Sequence, residues 1–139
     1  MVDNTTGGST TMSRTVSGFV NYKMNNDVYK NKQKVLNCVY ELKNEGLKLP
    51  YVRVKIGDAK KCNVLGKAKL SKCEIWITQK AIDNGLDELR SVVYHELLHA
   101  IYGCNHVKGC PIMSAIQPEV VATKLKAIEI FKKYYNKYN

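Results

Sequence analysis

The chain has 139 residues, 45% of them hydrophobic and 24% charged, with 22 Lys and Arg against 12 Asp and Glu for a net charge of +10. That length suits one domain with a core independent of disulfides, and no apolar run approaches the about eighteen residues a membrane helix needs, so no membrane partner is expected. The positive excess favours polyanions, nucleic acid among them, although lysines scattered along the whole chain fit a solvated surface equally well.

Residues 1–17 are rich in Gly, Ser and Thr and read as a flexible tail, which leaves a single domain over residues 18–139. The N-terminus has neither the basic start nor the apolar core of an export signal, and the cysteines, five in all, are odd in number. A cytoplasmic, monomeric protein is therefore expected, with its cysteines as small apolar fillers. Cys104 and Cys110 stand apart because they bracket His106, where they can brace the loop as a disulfide.

A helical pattern runs from about Asp27 to Asn44, with Val28, Val35, Val39 and Leu42 on one side, Lys30, Lys32, Lys34 and Glu41 on the other, and Gly46 as the stop. After Pro50, Val52, Val54 and Ile56 alternate with Tyr51, Arg53 and Lys55 in the period of a half-buried strand, turned by Gly57 and Asp58. Val64–Leu70 and Cys73–Thr78 form two further short strands joined through Ser71 and Lys72 as a hairpin, with Ile75 and Ile77 on one face and Trp76 on the other. Residues 79–85 read as a connector, and the next helix starts near Asn84 or Asp87, either of which can cap it. Beyond Met113, Pro118 suits a first helical turn, and Val121, Leu125, Ile128 and Tyr135 recur at helical spacing. Lys132, Lys133 and Lys137 then sit where a helix dipole favours cations.

All three histidines fall between Val92 and Ser114. On a helix, His95 and His99 lie one turn apart with both imidazoles on the same side, a two-point grip for a metal ion. Glu96 projects about 100° further round, beside a water on the metal and off the metal itself, which is the place for a general base. Val92, Val93, Leu97, Ala100 and Ile101 give this helix its apolar surface, and Gly103 supplies a left-handed stop.

The pentad His95-Glu96-Leu97-Leu98-His99, followed by Gly103, His106 and Met113 in Cys110-Pro111-Ile112-Met113-Ser114, resembles the metzincin clan of zincin metallopeptidases, most nearly its matrixin and archaemetzincin branches. The strand pattern also resembles the SprT-like family. The resemblance implies a small zincin-type α+β domain: a short mixed sheet, an N-terminal backing helix, an active-site helix with the pentad and a C-terminal helix. It implies one Zn²⁺ held by His95, His99 and His106, with Glu96 as general base and Met113 as hydrophobic floor. It further implies an edge strand within Leu65–Leu70, where Gly66, Lys67 and Ala68 pair with an extended substrate backbone.

One residue more than the clan pattern allows separates His99 from Gly103, which leaves Glu119, Cys104 and Cys110 open as substitutes for His106. Tyr134, Tyr135 and Tyr138 include candidates for an extra ligand or oxyanion donor as well as for packing. The expected activity is zinc-dependent endoproteolysis of a protein or peptide, either general or, as in the SprT-like resemblance, on DNA-associated proteins. The alternative is a zinc endoribonuclease of the YbeY type, which shares a three-histidine loop but lacks a glutamate after the first histidine.

Overall fold

The computed structural model describes residues 16–57 and 64–139, and side chains from residue 28 onward. Residues 1–15 of the expected tail and Asp58 of the expected turn lie outside these. The chain divides into two units, Met1–Lys30 and Asn31–Asn139. In the first, the described residues are helical and Val28, expected on the apolar side, is exposed. Helix α1 is bounded Val16–Asn44, so it begins well before the expected Asp27. Asn25, Asn26 and Asp27 look like a helix start locally, but such residues are also tolerated inside a helix at modest cost.

The second unit is α+β. Strand β1 (Arg53–Gly57) pairs in parallel with β3 (Glu74–Thr78), and β2 (Gly66–Lys69) pairs with β3 antiparallel, giving the sheet order β1-β3-β2. The expected hairpin is present, closed by a 3-10 turn at Leu70–Lys72 with Cys73 in the left-handed region at φ 47°. The alternation holds as expected: Val52, Val54, Ile75 and Ile77 are buried, and Trp76 lies on the other face. The stretch expected as a connector contains a short helix, α2 (Gln79–Asp83), because Thr78 Oγ1 accepts from the Ala81 amide and caps it.

Helix α3 (Leu86–Tyr102) packs on the sheet's inner face and contributes more core residues than any other element, with Leu89, Val93, Tyr94, Leu97 and Leu98 almost fully buried. Neither Asn84 nor Asp87 caps it; the cap position is Gly85 at φ 106°, and Asp87 serves as an acidic first-turn residue. Its end is as expected. Gly103, at φ 65°, donates to His99 O while Cys104 donates to Leu98 O, and this left-handed conformation favours glycine.

Helix α4 (Lys124–Tyr138) starts at Thr123, whose hydroxyl accepts from the Lys126 amide, and Pro118 precedes it without being helical. Its inward face is Ala127, Ile128, Ile130 and Phe131, whereas Leu125 is 82% exposed. Tyr94 and Phe131 meet edge to face at 5.5 Å, joining α3 to α4.

Glu41 was expected on the solvated side of α1, but it accepts from Arg90 Nε at 2.8 Å, Arg90 Nη2 at 3.0 Å and Tyr94 Oη at 3.1 Å. Arg90 also donates to Asp87 at 2.6 Å, and its side chain is only 3% exposed. The Glu41 hydrogen bonds hold the guanidinium charged, and burial, reinforced by Glu41, raises the Tyr94 phenol well above its ordinary range. This network fixes α3 against α1. Glu41→Ala leaves a buried guanidinium under-paired and should cost about 3 kcal/mol or more, while replacing Glu41 and Arg90 together by Met should cost clearly less. Urea denaturation of both variants checks this; equal losses would contradict it.

Candidate metal centre

His95 and His99 stand one turn apart on α3, and each ring is oriented by a backbone carbonyl from the loop that follows. His95 Nδ1 lies 2.7 Å from Ile112 O and His99 Nδ1 lies 2.6 Å from Cys104 O. A carbonyl can only accept, so each Nδ1 carries the proton and each Nε2 presents a lone pair. The two Nε2 atoms face each other at 3.1 Å. Burial, the largest influence on both rings, lowers their pKa values and favours the neutral forms, so two lone pairs confront one another.

His106 completes the cluster. The ligand atoms of His95, His99 and His106 lie within 4.8 Å of one another, and the rings of His95 and His106 stack at 5.1 Å. The extra residue before Gly103 does not re-aim the loop, because α3 continues through Tyr102 and the glycine turn absorbs it. Beyond His106, the Val107 amide donates to Met113 O at 2.8 Å and folds the loop back on itself. Met113 is fully buried, and its amide donates to Cys110 Sγ at 3.3 Å.

The substitute ligands go elsewhere. Among the described residues the three histidines form the one group able to hold a metal; the exposed Glu119, the buried Cys104 and the half-buried Cys110 all lie outside it. Those two cysteines are free thiols, not a disulfide, and pair with tyrosines of α4: Cys104 hydrogen-bonds Tyr138 and Cys110 hydrogen-bonds Tyr134. Burial pushes the Tyr134 phenol up to about 12. Tyr135 Oη accepts from the Lys48 amide at 3.0 Å, so all three tyrosines are engaged in packing, and none lines the cleft described next.

The histidines lie in a cleft of about 850 Å³. One wall is β2 with Val64 and Leu65, and the other is the segment from Pro111 to Pro118. Because β2 pairs, among the described residues, only with β3, its second edge borders this cleft. Glu96 is 7% exposed and lines the cleft beside His95; burial pushes its carboxyl up to about 7. Gly66 explains how β2 approaches so closely: a Cβ there would lie 3.0 Å from Glu96 Cγ, Glu96 Oε2 and Trp76 O. Ser91 Oγ and Gln117 Nε2, which sequence reasoning did not single out, also line the cleft and are buried without a hydrogen-bond partner. The position of Ser91, one turn before His95 on the same helix face, is the sequence signal that points to it.

The donor set fits a metal ion. Facing imidazole lone pairs repel unless a cation lies between them, and roughly 3.3 Å separates two nitrogens bound tetrahedrally at about 2.0–2.1 Å from zinc. The carbonyl contacts of Nδ1 are the outer hydrogen bonds that metal-bound histidines usually make. Among the described residues, no helix is long and apolar enough to cross a membrane. Compared with protein-family models, with curated proteins and with solved structures, the chain matches none.

Gly66→Ala forces Glu96 or the β2 backbone to move, since one of the three atoms at 3.0 Å is a main-chain oxygen. The expected result is a loss of about 1–3 kcal/mol on thermal or urea unfolding, typical of overpacking. A variant as stable as the parent would show that β2 does not press on Glu96.

Proposed function

We propose that the protein is a zinc-dependent endopeptidase. The observation that carries this reading is the buried Glu96 carboxyl in the same cleft as three converging imidazoles, beneath an unpaired strand edge. His95, His99 and His106 would hold the ion, leaving a fourth position open toward the cleft. When bound, zinc supplies Lewis acidity and lowers the pKa of a coordinated water toward about 7.

The chain's own residues supply the rest. The free edge of β2 offers main-chain donors and acceptors to an extended peptide, so it binds by backbone and leaves selection to side-chain pockets. Gly66 and Ala68 keep that edge low over the site, while Lys67 and Lys69 point to the other face. Glu96 is placed to take a proton from the attacking water and return it to the leaving amine. Its burial raises its proton affinity into the range such a shuttle needs. Met113 fills the space under the loop that carries His106.

The glutamate favours peptide over RNA as substrate, since amide hydrolysis needs a proton donor for a poor leaving group. Glu96→Gln should keep fold and zinc and lose about 10²–10⁴-fold in peptide hydrolysis, because the amide is similar in shape but cannot take the proton. Metal analysis and a peptide-library digest of the variant check this. Zinc loss would make Glu96 a ligand, and unchanged cleavage would remove it as the base.

A further inference from the structure

The sheet has a second face, turned away from α3, that the proposed activity does not use. Trp76, the only tryptophan in the chain, lies at its middle. Strand register sets Lys55 of β1 and Lys67 of β2 on either side of Trp76, and Arg53 and Lys69 on either side of Glu74. The ammonium groups of Lys55, Lys67 and Lys69 stand 5.0, 6.0 and 5.8 Å from the indole centroid. Trp76 Nε1 donates to Glu74 Oε2 at 2.6 Å, which fixes the ring in the sheet face. Glu74 is only 2% exposed and pairs with Lys55 at 3.7 Å, so one carboxylate sits beneath the four cations that surround the ring.

We propose that this outer sheet face binds single-stranded nucleic acid, with Trp76 as a stacking platform for a base and Arg53, Lys55, Lys67 and Lys69 as phosphate contacts. A single strand needs both features together, a track of positive charge and a π-face. An acidic peptide would use the cations and leave the ring idle, and a duplex keeps its bases stacked on one another. The half-buried indole already holds three cations near its face; phosphates draw them aside, and a base takes the ring. A net charge of +10 steers a polyanion toward the protein. Trp76, Arg53 and Lys55 lie on strands away from the peptide-binding edge, whereas Lys67 and Lys69 belong to β2 and Lys67 also lines the cleft, so the two sites meet at that strand.

The test is titration of the full-length protein with fluorescein-labelled oligothymidylate at low salt, following anisotropy and tryptophan emission. Binding should quench the emission, and log K should fall with log salt at a slope of about −2 to −3, as three or four phosphates at roughly −0.7 each require. Lys55→Gln with Lys69→Gln should reduce the slope by roughly 1.4, and Trp76→Leu should weaken binding about tenfold. Lys126→Gln with Lys133→Gln, on α4, should change neither. Quenching in the unaltered protein depends on no substitution, so it stands even if a variant folds poorly. No binding at low salt, binding without quenching, equal affinity for polyglutamate or for a duplex, or weakening by the α4 pair and not the sheet pair, would each overturn the proposal.

Discussion

Two hydrogen bonds from imidazole to backbone decide the character of this protein. Ile112 O and Cys104 O each accept from a histidine Nδ1, and so both Nε2 lone pairs are directed into one small volume. Without them the rings would be free to rotate or to take the other tautomer, and the site would lose its acceptor set. The rest of the unit serves those two contacts. Gly103 turns the chain so that Cys104 O reaches His99, and the Val107–Met113 hydrogen bond closes the loop that brings Ile112 O to His95.

Holding the loop in place depends in turn on α4 and α1. The tyrosines that might have been ligands instead support the loop from behind, with Tyr138 stacked on Tyr102 at 5.3 Å and bonded to Cys104. On the far side, the Glu41, Arg90 and Tyr94 network anchors α3 through charge-assisted hydrogen bonds. A buried ion pair of this kind contributes less to stability than apolar packing of equal volume would, but it fixes one orientation of the helix.

Much of this was legible in the sequence because it is written in short periods. The alternation at Val52, Val54 and Ile56, the pair Ile75 and Ile77, the spacing of His95 and His99 and the stop at Gly103 are local patterns, and each appears as expected. What was not legible involves partners distant in sequence. Glu41 looks like a surface residue until Arg90, 49 positions away, is brought beside it. The start of α4 was misplaced because Pro118 is a stronger textual signal than Thr123, although the threonine hydroxyl makes the cap. Leu125 reads as inward on hydrophobicity, yet it is exposed while Ala127, Ile128, Ile130 and Phe131 form the inward face, a phase that only packing against the rest of the unit sets. The third ligand remained open from sequence because an added residue shifts helix phase by about 100°, and only the geometry of the turn decides whether it is absorbed.

The central claim is that three imidazoles, with no sulfur or carboxylate from the chain, form the metal centre. X-ray absorption at the zinc edge of the purified, zinc-loaded protein measures this directly. The account predicts four nitrogen or oxygen neighbours at about 2.0–2.1 Å with the outer scattering of three imidazoles. A sulfur neighbour at about 2.3 Å would place Cys104 or Cys110 on the metal, and a shell with fewer than three imidazoles would remove His106 from it; either result would contradict the account.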